Sequence, residues 1–127
     1  MDFSKLNGLI PAVIQDAETN DVLMVGFMND EALALTRATG YVTFFSRTRN
    51  QLWMKGETSG NRLKVASLQS DCDDDTVLAK VTCEGAGVVC HTGTWTCFNT
   101  TIDTTAPAEA EVADAGAATP AVARGVR

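Results

Sequence analysis

Residues 71–75 read DCDDD, the densest run of ligating side chains in the sequence. Side chains alternate in direction along an extended backbone, so Asp71, Asp73 and Asp75 would then share one face and Cys72 and Asp74 the other. Three carboxylates on one face repel unless a cation neutralises them, and hard oxygen ligands suit Mg²⁺ or Ca²⁺. A helix-loop-helix calcium site is excluded, because that loop needs Gly at its sixth position and Glu at its twelfth, where Thr76 and Thr82 stand. The plain alternative is a solvated acidic turn.

A second group is CHTGTWTC, residues 90–97, bracketed by Cys90 and Cys97. With Cys72 these offer three soft thiolates. The Cys-x2-Cys spacing of closed structural zinc is absent, whereas three protein ligands and an open fourth position are the arrangement of a catalytic zinc. Three thiolates leave such a centre anionic and temper its Lewis acidity, so a nearby base or cation would help. The competing reading makes these thiols small buried hydrophobes. Cys83 goes to the core instead, because it continues the alternation of Val77, Ala79 and Val81. His91 is the only histidine, and we expect it to act as general acid or base rather than as a ligand, since imidazole ordinarily titrates near neutral pH and Cys90 beside it is the softer ligand.

The third group is basic. Between residues 47 and 64 five cations, Arg47, Arg49, Lys55, Arg62 and Lys64, face the single Glu57, in a chain whose net charge is -6. An anion site is therefore local. Arg47 and Lys55 can bind phosphate, and Thr58, Ser59 and Gly60 form a small loop whose amides can approach one closely. Solvated hairpin charges are the alternative. Trp53 and Trp95 can stack on a base or simply pack.

Elements must hold these groups in place. Residues 12–15 and 22–28 are apolar runs around a polar turn and read as a hairpin. Asn29 then caps a helix of about ten residues, with Asp30 and Glu31 at its positive end, Arg37 near its negative end and Gly40 to stop it. Residues 41–46, 52–55, 62–68 and 76–83 carry β-branched or aromatic residues between turns and read as strands. The fold class is α+β, mainly antiparallel β-strands with one or two short helices. Residues 1–103 form one domain, and residues 104–127, rich in Ala and Pro without Leu, Ile or aromatics, read as a disordered tail. The acidic balance argues against a nucleic-acid polymer as partner. No apolar run reaches the roughly 20 residues of a membrane helix, and the start lacks a signal-peptide pattern, so a cytoplasmic protein with reduced thiols is expected.

In this order GLIPAVIQD, VLMVGFMNDEAL, SRTRNQLWMKGETSG, SDCDDD and CHTGTWTCF resemble the phosphoribosyl-AMP cyclohydrolases of histidine biosynthesis, over roughly residues 7–98. The resemblance implies a hydrolase that opens the adenine ring of phosphoribosyl-AMP between N1 and C6, giving an imidazole carboxamide. It implies an intertwined homodimer, zinc held by Cys72 of one chain with Cys90 and Cys97 of the other, and magnesium at Asp71, Asp73 and Asp75. Gly26-Phe27 stands where that family often has Ala-Tyr, Phe44-Phe45 where Tyr-Trp is usual, and residues 85–89 are slightly long; no implied ligand is lost. The residues after 103 are too few for the pyrophosphohydrolase domain found in some relatives, so a monofunctional chain is expected. Two rivals stand beside this reading: a non-catalytic zinc-stapled nucleotide-binding dimer, and a zinc purine deaminase, whose His-x-Glu and Pro-Cys-x-x-Cys signature is absent here.

Overall fold

The computed structural model describes residues 1–105. All but the first two residues of the tail expected over 104–127 lie outside them. Six strands and one helix follow in the order β1 (Ile10–Asp16), β2 (Val22–Met28), α1 (Asp30–Thr39), β3 (Thr43–Ser46), β4 (Gln51–Met54), β5 (Leu63–Ser70) and β6 (Val77–Cys83). Four strands form one sheet in the order β2-β1-β6-β5, and β3-β4 is a separate hairpin. The α+β expectation holds, with one helix among the described residues. Three of the strand pairs are antiparallel, but β1 and β6 run parallel at the centre of the sheet, which strand patterning did not anticipate.

Strict alternation along β1 drives this arrangement. Ile10, Ala12, Ile14 and Asp16 are buried while Pro11, Val13 and Gln15 between them are partly open. In register, Ala12 and Ile14 meet Val77 and Ala79 of β6, so one face of the sheet becomes core. Cys83 packs against that core, as expected. On the opposite face Val13 lies between Val25 and Leu78, and Val25 is 44% exposed.

The α1 ends are local chemistry. Asn29 Oδ1 accepts from Ala32 N (2.8 Å), a cap whose loss typically costs about 1 kcal/mol. Gly40 takes the left-handed conformation (φ 80°) that stops the helix. Buried Thr36 then ties α1 to β3: its Oγ1 donates to Ala32 O (2.8 Å) and accepts from Thr43 N (3.0 Å). A methyl at Gly26 would meet the Phe44 ring, so the glycine in β2 and the phenylalanine in β3 are one packing unit.

Candidate metal centres and substrate cleft

The acidic run does not stay extended. Asp74 has φ 65°, Asp74 N donates to Asp71 O (3.2 Å), and Asp71 N donates to Thr76 O (3.1 Å), so a tight turn joins β5 to β6. Asp71 Oδ1 also accepts from the amides of Asp75 (3.0 Å) and Thr76 (3.2 Å). Turning, rather than strand alternation, brings Asp71, Asp73 and Asp75 together with ligating oxygens within 4.8 Å of one another. Lys5 Nζ bridges Asp73 and Asp75 at 2.9 Å each, so a cation already sits between two of the three carboxylates. These two bonds push the Lys5 pKa up. The N-terminal segment is fixed there too: Asp2 N donates to Asp74 O (2.6 Å), and the terminal amine lies 3.8 Å from Asp74. The oxygen set and its stand-in ammonium fit a hard divalent cation.

The thiol loop is built differently. Val89 N and Cys90 N both donate to Thr94 O (3.1 and 3.0 Å), and Gly93 N donates back to Cys90 O (2.9 Å), closing a compact knuckle. The sulfur of Cys90 lies 2.9 Å from Thr92 Oγ1. That hydroxyl, then the Thr92 amide, lower the Cys90 pKa from 9.0 to about 6, with Thr94 and Cys97 contributing. Cys97 moves the other way, raised first by desolvation and then by the neighbouring Cys90 sulfur. The two thiols of the loop thus shift in opposite directions, and a lowered thiol beside a second sulfur suits a soft metal. Cys72 is exposed on the acidic turn. Among the described residues the only three-group cluster with metal-ligand spacing is the aspartate set, so the three cysteines do not converge within one chain.

A cleft of about 300 Å³ joins the thiol loop to the basic segment, and its walls include Lys55, Gly56, Ser59, Asn61, Cys90 and His91. Lys55 N donates to Val42 O (3.1 Å), Gly60 N donates to Gly56 O (2.8 Å), and Asn61 N donates to Ser59 Oγ (3.2 Å), which fixes the KGETSG loop. Gly56 has φ 79°, and a Cβ there would overlap the Asn61 backbone. Asn61 Oδ1 accepts from Ala86 N (2.8 Å) and clips the turn after β6 to this loop.

Of the residues named from sequence, the structure therefore gathers Lys55, Ser59, Cys90 and His91 around one cleft, with Thr58 and Gly60 in the same loop. Arg47 is not among the lining residues; its guanidinium lies 4.2 Å from the Phe27 ring centre. None of the five cations of this segment is paired with a carboxylate among the described residues, which leaves their charge available to an anion. Trp53 packs on Phe44 (5.2 Å) and both tryptophans lie against the core, the packing use rather than the stacking one. Sequence reasoning missed Lys5, Asn61, Thr92 and Thr94. A hydroxyl two residues after Cys90 was a visible signal; nothing local marked Lys5. A second depression, about 320 Å³, runs from Asp71 over Val13 and Leu78 on the sheet face away from the core.

A sequence model described as phosphoribosyl-AMP cyclohydrolase matches residues 24–99. The Histidine biosynthesis bifunctional protein HisIE of Bacteroides thetaiotaomicron is 61% identical over 98 residues, covering 77% of this chain and 47% of that protein. The phosphoribosyl-AMP cyclohydrolases of Geotalea uraniireducens and Desulfatibacillum aliphaticivorans are 56% and 52% identical, with 78% and 82% of their lengths covered. The chain spans about half the length of the bifunctional relatives it matches.

Proposed function

The chain belongs to the phosphoribosyl-AMP cyclohydrolase family, and from that premise we propose that it hydrolyses the N1–C6 bond of the adenine ring in phosphoribosyl-AMP, a step of histidine biosynthesis. The observation that carries the proposal is the single cleft where Lys55 and Ser59 stand with Cys90 and His91. An anion-binding loop and a proton-transfer group beside paired thiols are what a nucleotide ring-opening needs.

In this reading the KGETSG loop, with Lys55, Thr58, Ser59 and Gly60, holds a phosphate at one end of the cleft, while Arg47, which does not line the cleft, adds positive charge to the same basic segment. The loop's ordered backbone sets how far the purine reaches toward Cys90. His91 accepts the proton that water sheds as its oxygen bonds to C6, and returns a proton to N1 as the C6–N1 bond breaks. Cys90 and Cys97 of one chain with Cys72 of a second would hold zinc, which supplies Lewis acidity and lowers the pKa of water. Asp71, Asp73 and Asp75 would hold magnesium, which supplies charge for the substrate's phosphates.

A homodimer belongs to the same proposal. The apolar strip of Val13, Val25 and Leu78 on the outer sheet face adjoins the acidic turn that bears Cys72, which supports a second copy seated there. Residues 1–103 are taken as the catalytic unit. Among the described residues no helix is long and apolar enough to cross a membrane, and the four free thiols suit a reducing, cytoplasmic setting.

Incubation with phosphoribosyl-AMP, followed by the absorbance change of ring opening, tests the reading. Ring opening without ammonia release is expected. Ammonia release would indicate a deaminase. Tight nucleotide binding without turnover, with zinc closed by four protein ligands, would indicate a binding module.

A further inference from the structure

The loop that bears Cys97 is registered on β2 by side chains as well as by backbone. β2 is an edge strand, and along its open side Cys97 N donates to Leu23 O (2.8 Å) while Thr96 Oγ1 donates to Val22 O (2.7 Å). One residue earlier Trp95 Nε1 donates to Asp21 Oδ2 (3.0 Å), a contact across 74 residues of sequence. So short a backbone pairing on an edge specifies register weakly, because a slip costs few bonds. Asp21 is itself held by its own turn. Its N donates to Thr19 Oγ1 (3.1 Å) and its O accepts from Asp16 N (2.8 Å), within a turn that the Asp16 carboxylate braces by accepting from the amides of Glu18 (3.1 Å) and Thr19 (2.8 Å).

We propose that Asp21, in the β1–β2 turn, is a positioning residue for the thiol pair: by anchoring the Trp95 indole it sets the register of residues 94–97 on β2 and hence the separation at which Cys97 meets Cys90. The inference rests on the reading of Cys90 and Cys97 as zinc ligands. Besides the Thr96 hydroxyl on the carbonyls of Val22 and Leu23, the charge-assisted bond of Asp21 to the indole is the side-chain contact that ties this strip to the β1–β2 turn. Outer contacts that orient ligands typically change metal affinity 10- to 100-fold.

Zinc affinity of the full chain, measured by competition with a chromophoric chelator, and hydrogen exchange of the Trp95 indole N–H in zinc-free protein together test this. Asp21→Ala should bind zinc about tenfold more weakly and exchange the indole proton faster, with the Trp53 indole unaffected. Asp21→Asn keeps an oxygen acceptor and should stay close to wild type in both. A purely structural role would lower the melting temperature of Asp21→Ala and leave affinity at wild type, and that result overturns the proposal. Unchanged indole exchange in Asp21→Ala overturns the anchor alone, and Asn behaving as badly as Ala removes the hydrogen bond as its cause. If wild type takes up no zinc, the zinc reading falls and the positioning role with it.

Discussion

The acidic turn and the thiol loop are both short segments rich in ligating groups, yet three carboxylates converge at the first while, among the described residues, the three cysteines do not converge at the second. Residues 71–76 fold on themselves, gather three carboxylates and carry their own counter-ion in Lys5. Residues 90–97 gather two sulfurs, prime one of them as a thiolate through Thr92, and leave the third cysteine on the acidic turn. A hard-cation site can be assembled by local backbone because carboxylates with many lone pairs tolerate loose geometry. Tetrahedral thiolate coordination demands more, and in the proposed reading its third ligand comes from a second copy of the chain.

Breaking the thiol side should cost most. Cys90→Ala or Cys97→Ala should lose zinc and reduce ring opening to background, checked by metal analysis and turnover together. His91→Ala should retain zinc and still lose about 10²- to 10⁴-fold in rate, the share of a missing general acid or base. Zinc lost with His91 would make it a ligand. Thiol reactivity sharpens the contrast within the loop. In metal-free protein the alkylation rate of Cys90 should rise with pH around a midpoint near 6, because the thiolate is the reactive form. Cys97 and Cys83, raised above the usual 9.0, should label only at higher pH. Mass spectrometry of the modified peptides reads both. The smallest effect belongs to the acidic turn: Lys5→Ala should tighten Mg²⁺ binding a few-fold, by removing the ammonium that competes for Asp73 and Asp75, and leave zinc affinity unchanged. Isothermal titration with each metal measures this.

What was legible in the sequence was local. The α1 helix followed from Asn29 and Gly40, whose side-chain cap and left-handed backbone need no knowledge of the rest of the chain. Each strand showed its own pattern, and Lys55 and Ser59 stood out by charge and loop chemistry. The parallel pairing of β1 with β6 was not legible, because an alternating strand does not say which neighbour it takes or in which direction. Asp71, Asp73 and Asp75 do come together, on a different geometry from the extended one expected, since the positive φ of Asp74 is permitted by its short polar side chain without being announced by it. Lys5 meets its carboxylates across 68 and 70 residues, and no spacing rule reaches that far.

Mixed dimers test the shared thiol site most directly. If Cys72 of one chain completes the pair formed by Cys90 and Cys97 of another, Cys72→Ala and Cys90→Ala homodimers each lack every complete site. In a mixed dimer one site loses both residues and the other keeps all three thiolates. Co-refolding the two inactive variants should then restore ring-opening activity toward about a quarter of wild type, given about half the dimers mixed and independent sites. No recovery from dimers demonstrated to be mixed would contradict the account and place all three ligands in a single chain.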